Sequence, residues 1–136
     1  MLVAVTDAPL DVAAHEDAVA HARAGATVTF RGIVRDHDHG RSVVRLEYHA
    51  HPTAAEVLGQ VAAETSELPE VLAVAVSHRV GVLEVGDTAL VATVSAEHRR
   101  VAFEACARLV DEVKHRLPVW KRQVFGDGSD EWVNCP

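Results

Sequence analysis

The sequence predicts an α+β protein in which helices cover a mostly antiparallel sheet. Three observations carry that expectation. Short runs rich in valine and threonine alternate apolar and polar residues, as in ATVTFRGIVR at 26–35, which is the period of a half-buried strand. Three longer stretches, rich in alanine or leucine, are bounded by glycine or proline, as helices are. Their order along the chain is βαββαββαββ, which places helices against a sheet rather than between parallel strands alone.

Residues 2–6, LVAVT, form a short apolar strand candidate. Residues 10–24 carry an alanine-rich helical pattern that Gly25 ends. In the strand at 26–35, Val28, Phe30 and Val34 face one way, and Thr27, Thr29, Arg31, Ile33 and Arg35 the other. DHDHGR reads as a polar loop, and SVVRLEYHA returns as a strand. Pro52 opens a helix through about Ser66, because a first turn tolerates proline. VLAVAVSHR at 71–79 and TALVATVS at 88–95 are strands. The link between them, VGVLEVGD, contains Gly81 and a Gly86-Asp87 turn signal. The longest helix spans 96–117, with Ala102, Cys106, Leu109, Val113 and Leu117 as its buried stripe, and Pro118 ends it. VWKRQVF and EWVN are two short strands around the turn GDGS.

At 136 residues the chain fits one domain, 1–136, with apolar residues enough for a sizeable core. The net charge of -7 and the absence of a long basic run argue against nucleic acid as the main partner. A local basic pocket for a small anion remains compatible with that total. Cys106 and Cys135 form no CxxC pair, so the expectation is a reduced cytoplasmic protein without disulfides. The N-terminus has no basic n-region and carries Asp7 and Asp11, unlike a signal peptide. No apolar run approaches the ~20 residues that span a bilayer.

Four stretches could carry chemistry. SAEHRR opens the long helix with Ser95 as a plausible N-cap and His98, Arg99 and Arg100 in its first turn. Cations there oppose the helix macrodipole by about 0.3–1 kcal/mol each. They become useful if an anion binds at that terminus; an exposed helix start balanced by Glu97 and Glu104 fits the pattern as well. The only lysines, Lys114 and Lys121, flank Pro118. A turn there could aim both amines into one cleft, where a lysine can attack a carbonyl, move a proton or hold an anion. The bland alternative is that an arginine-biased chain must put its few lysines somewhere, and Lys114 suits a helix C-terminus. Arg35 ends a strand and enters a glycine-containing loop, a common place for a binding residue and also for a surface ion pair. His37 with His39, and His49 with His51, each share a strand face and could hold zinc or nickel, but no third ligand at recognised spacing completes a set. The sequence holds no Gly-rich phosphate loop and no GxSxG elbow.

Taken in order, VTFRGIVRDHDHG, LEYHA, SHRVGVLEVGD, VSAEHRRVAFEACARLVDEVKHRLPVWKRQ and EWV resemble the large subunit of molybdopterin synthase, the MoaE family, over roughly residues 25–133. HRxGxLxxGD, SAxHR and P-x-WK at matching separations make the resemblance specific. It implies an α/β hammerhead-type fold and a homodimer. It also implies a small ubiquitin-like sulfur-carrier subunit, MoaD-like, bound through its C-terminal Gly-Gly tail to give a heterotetramer. The implied activity is sulfur transfer from that tail's thiocarboxylate to cyclic pyranopterin monophosphate, which forms the dithiolene of molybdopterin, with no cofactor or metal. Carried over by position, the catalytic lysines fall on Lys114 and Lys121. The substrate-binding set adds Ile33, Val34, Arg35, His98, Arg99, Arg122 and Gln123. Ile33 stands where some relatives have lysine, and Gln123 where glutamate is frequent. Two rival classes remain at this stage: a non-catalytic docking module for a ubiquitin-like tail, and a metal-dependent hydrolase built on the histidine pairs.

Overall fold

A computed structural model describes residues 1–135, with side chains through residue 133. In chain order the elements are β1 (Leu2–Thr6), α1 (Val12–Ala18), β2 (Ala26–Ile33), β3 (His37–Asp38), β4 (Arg41–Ala50) and α2 (Ala54–Ser66). There follow β5 (Val71–Arg79), β6 (Gly81–Glu84), β7 (Thr88–Ala96), α3 (Arg99–Arg116), β8 (Val119–Phe125) and β9 (Asp130–Cys135). The fold is α+β, as the alternation of periods predicts.

Two sheets organise it. The first has the order β1-β5-β7-β2, with β1 parallel to β5 and the other pairs antiparallel. On β5 and β7, Val74, Val76, Leu90, Ala92 and Val94 point to one face and join the core. The stripe of α3 fills that core with Cys106, Leu109, Val113 and Leu117, beside Leu58 and Val61 of α2. The alternate face carries Ser77, and there α1 docks: His15 Nε2 lies 2.7 Å from Ser77 Oγ. The second sheet joins β3, β4, β8 and β9, with β6 also on β4. Leu46, Tyr48, Leu83, Val119 and Phe125 turn its inner face into the same core.

Several boundaries differ from expectation, each for a physical reason. Asp11 caps α1 by accepting from Ala14 N at 3.1 Å, and the helix stops at Ala18 rather than near 24. His21 and Arg23 interrupt any buried stripe, and alanine propensity alone does not sustain a short helix. Ser95 is not the cap of α3: it is fully buried in β7, paired with Thr27, and His98 takes the cap position without a side-chain hydrogen bond. DHDHGR is a hairpin rather than a loop, with His39 at φ 49° and Gly40 at φ 77°. Positive φ at both central residues is the turn that matches strand twist. The 80–87 link contributes β6, because Leu83 is fully buried and pairs with Leu46.

Candidate active site

The cavity that matters lies where the C-terminal ends of β2 and α3 meet the inner face of the second sheet. It holds about 190 Å³. Ile33, Val34 and Arg35 enter it from the end of β2, and Leu46 and Tyr48 from β4. Lys114 comes from the last turns of α3, and Lys121 and Gln123 from β8. Alternation makes Lys121 and Gln123 neighbours on one face of β8, opposite Tyr48 and Leu46 of β4.

The proline between the lysines explains their convergence. Leu117 N still bonds Val113 O, but Leu117 itself is extended, and Val119 begins a strand. Pro118 cannot continue the helix. The chain therefore folds back at once, and His51 N holds the corner through Pro118 O at 2.9 Å. Lys114, exposed on the helix, and Lys121, half-buried on the strand, then line one cavity. Arg116, two residues from Lys114, is anchored elsewhere, to Glu64 at 2.8 Å and Glu112 at 3.4 Å.

His78 closes the cavity from the end of β5, a role the sequence reading missed. It is 6% exposed, and its ring meets Tyr48 edge-on at 4.9 Å. Nδ1 lies 2.7 Å from the Arg79 carbonyl oxygen. An oxygen of that kind only accepts, so Nδ1 carries the proton and Nε2 is left as an acceptor. Burial pushes the imidazole down to about 4, opposed by the Arg79 hydrogen bond and assisted by the positive charge of Lys114. His78 is therefore neutral at physiological pH. Its signal in the sequence was a histidine closing an otherwise apolar strand, VLAVAVSHR.

Charge at the cavity is mainly positive, from Arg35, Lys114 and Lys121. Asp38 sits beside it, with Oδ2 2.9 Å from Gln123 Nε2 and Oδ1 3.5 Å from Arg35 Nη2. The Gln123 hydrogen bond, with His39, Lys121 and Arg35 nearby, holds the Asp38 carboxyl below its ordinary value.

Six of the nine expected site residues meet here: Ile33, Val34, Arg35, Lys114, Lys121 and Gln123. Three do not within one chain. His98 caps α3, and Arg99 faces a separate shallow depression with Arg100, Phe103 and Glu104. Arg122 points to the opposite face of β8, where Glu47 and Asp130 each hold it at 2.7 Å. It ties β4, β8 and β9 together. The histidine pairs also part company: His37 bonds Asp36 at 2.9 Å and His51 bonds Thr53 Oγ1 at 2.8 Å. His49 lies against the Trp132 ring at 5.2 Å. Among the described residues, no three His, Cys, Asp or Glu side chains are placed to hold a metal ion. Among the same residues, no helix is long and apolar enough to cross a membrane. Cys106 is free and buried, and it does not line the cavity; the Cys135 side chain lies outside the described residues.

The sequence and the two-sheet α+β frame that hold this cavity match a known family. The family model described as "MoaE protein" aligns with residues 5–116. The chain belongs to the MoaE family. It is 38% identical over 130 residues to the molybdopterin synthase catalytic subunit of Bacillus subtilis (strain 168), covering 95% of this chain and 82% of the relative. Among solved structures, molybdopterin synthase from Staphylococcus aureus superposes with a TM-score of 0.88 at 29% identity, covering 95% of this chain and 94% of that one. The complex of subunits 1 and 2 of the molybdopterin-converting factor from Helicobacter pylori 26695 gives a TM-score of 0.75 at 18% identity, covering 97% and 88%. That likeness speaks for the MoaE fold alone.

Proposed function

We propose that the chain works as the catalytic, sulfur-transferring subunit of a molybdopterin synthase. It takes sulfur from the C-terminal thiocarboxylate of a small ubiquitin-like carrier subunit and places it on cyclic pyranopterin monophosphate, building the dithiolene of molybdopterin. The observation that carries this reading is the convergence of Lys114, Lys121 and Arg35 on one cavity, in a chain whose relatives bear that activity in their names.

The chemistry follows from charge. Both reactants are anions, a phosphate ester and a thiocarboxylate, and three cations line the cavity. In each round the thiocarboxylate sulfur bonds to a side-chain carbon of the pterin, and that carbon loses its oxygen. Water then cleaves the acyl–sulfur bond and returns the tail as a carboxylate. A lysine ammonium can protonate the departing oxygen or polarise the acyl carbonyl. Lys114 and Lys121 take those roles. The protein brings no cofactor and no sulfur of its own, and it acts in the cytoplasm as one MoaE-like domain. In the homodimer, His98 and Arg99 reach a cavity only when a second copy presents them. Two carrier subunits complete the heterotetramer.

Lys114→Ala and Lys121→Ala, supplied with thiocarboxylated partner and pterin, test the reading. Neither side chain is buried, so both variants should fold. Turnover should fall by roughly 10²–10⁴-fold. Near-parental product formation by both variants would remove the lysines from the mechanism.

A further inference from the structure

Resting on that functional reading, we propose that Asp38 is a positioning residue of the site: its carboxylate bridges Arg35 and Gln123 and fixes the orientation in which both meet the pterin. The two partners reach the cavity from different elements, Arg35 just past β2 and Gln123 on β8. No backbone ladder joins those two strands. Asp38 supplies a side-chain link, with one oxygen for each partner: Oδ2 to Gln123 Nε2 at 2.9 Å and Oδ1 to Arg35 Nη2 at 3.5 Å. His39 Nε2 lies 3.7 Å from Oδ1 as well.

Two consequences follow from the chemistry of the groups. A carboxylate only accepts hydrogen bonds, so the Gln123 amide must turn its NH2 toward Asp38. Its carbonyl oxygen then faces away from Asp38, as a fixed acceptor on a residue that is 4% exposed. Arg35 is two-thirds exposed along its side chain, and an unrestrained guanidinium would sample many rotamers. The ion pair narrows that range before substrate arrives, which lowers the ordering cost of binding. The carboxylate is itself held in place: β3 pairs Asp38 with Arg41, and the positive-φ turn at His39 and Gly40 closes the hairpin.

The action is on binding groups, so it should appear in KM for the pterin rather than in kcat. Asp38→Asn should raise that KM by at least fivefold and change kcat by less than twofold. Gln123→Glu sets two carboxylates against each other and should raise KM at least as much. The double variant D38N/Q123E restores a carboxylate–amide hydrogen bond with the roles exchanged but not the ion pair to Arg35, so its KM should fall below that of Q123E yet stay above the parent's. Rates are taken per folded protein, with thermal melts for each variant. A purely structural Asp38 would leave KM and kcat per folded protein unchanged in D38N, and that result overturns the inference. So does a double variant no better than Q123E. A parent that makes no product with thiocarboxylated partner defeats the functional reading and this inference together; a productive parent with an insensitive D38N defeats this inference alone.

Discussion

Lowering the pH from 7.5 to 4.5 should draw on the burial of His78 more than on any exposed histidine. In the unfolded chain this imidazole takes a proton near its ordinary value of 6.5, whereas in the fold it does so only at about 4. Between those values the unfolded state binds the extra proton, so stability falls as pH falls. The contribution is complete above 6.5 and is lost on the way down to about 4. At 1.36 kcal/mol for each tenfold change in proton affinity, the loss by pH 4.5 is roughly 2–3 kcal/mol. That is a large share of the ~5–15 kcal/mol that holds a typical domain folded. The assay is urea unfolding, followed by the fluorescence of Trp120 and Trp132, at steps between pH 7.5 and 4.5 for the parent and for His78→Gln. Glutamine can still donate to the Arg79 carbonyl but does not titrate. The carboxylates held low, Asp36, Asp38, Glu64 and Asp127, lose their contribution in a more acidic window and do so in both proteins. The parent should therefore lose roughly 2–3 kcal/mol more than the variant across this range. Equal pH dependence in the two proteins would refute the argument that a desolvated, neutral imidazole closes the cavity.

Two further outcomes are expected. Gly25→Ala drives a Cβ into the Glu97 carbonyl oxygen at the corner between β7 and α3, and should cost about 1–3 kcal/mol; a parental melting temperature would show that the corner yields freely. Cys106→Ala removes a buried thiol that lies 3.6 Å from Ala92 O, at a cost of about 1 kcal/mol. Sulfur transfer per folded protein should stay at the parental level, because in the proposed reaction the partner carries the sulfur, and its loss in a folded variant would overturn that assignment.

The pattern of residues carried the element types well, since each rests on a local period. The strands at 71–79 and 88–95 and the stripe on α3 are visible as apolar spacing alone. Where the local pattern pointed elsewhere, a long-range contact decided. Ser95 looks like a cap, but its pairing with Thr27 continues β7 through Ala96. VGVLE reads as a link until Leu83 finds Leu46. DHDHGR looks polar throughout, and only the hairpin shows that Asp38 has a buried amide as partner.

The site divides in the same way. Sequence by itself determined which groups are available: two lysines around a helix-ending proline, an arginine at a strand end, and the family to which their order belongs. It also fixed that Lys121 and Gln123 share a face, because strand alternation is local. Only the tertiary structure decided which of these meet. It brought β2, α3 and β8 to one cavity, turned Arg122 to the outer face toward Glu47, and left His98 and Arg99 at the far end of α3 from Lys114. It added His78, Tyr48 and Asp38, which stand in the runs SHRVGVLEVGD, LEYHA and VRDHDHG but to which the local pattern assigned no part in the site. The reason is physical: a residue's type and local period are written along the chain, but burial, charge neighbours and hydrogen-bond partners depend on contacts between segments distant in sequence.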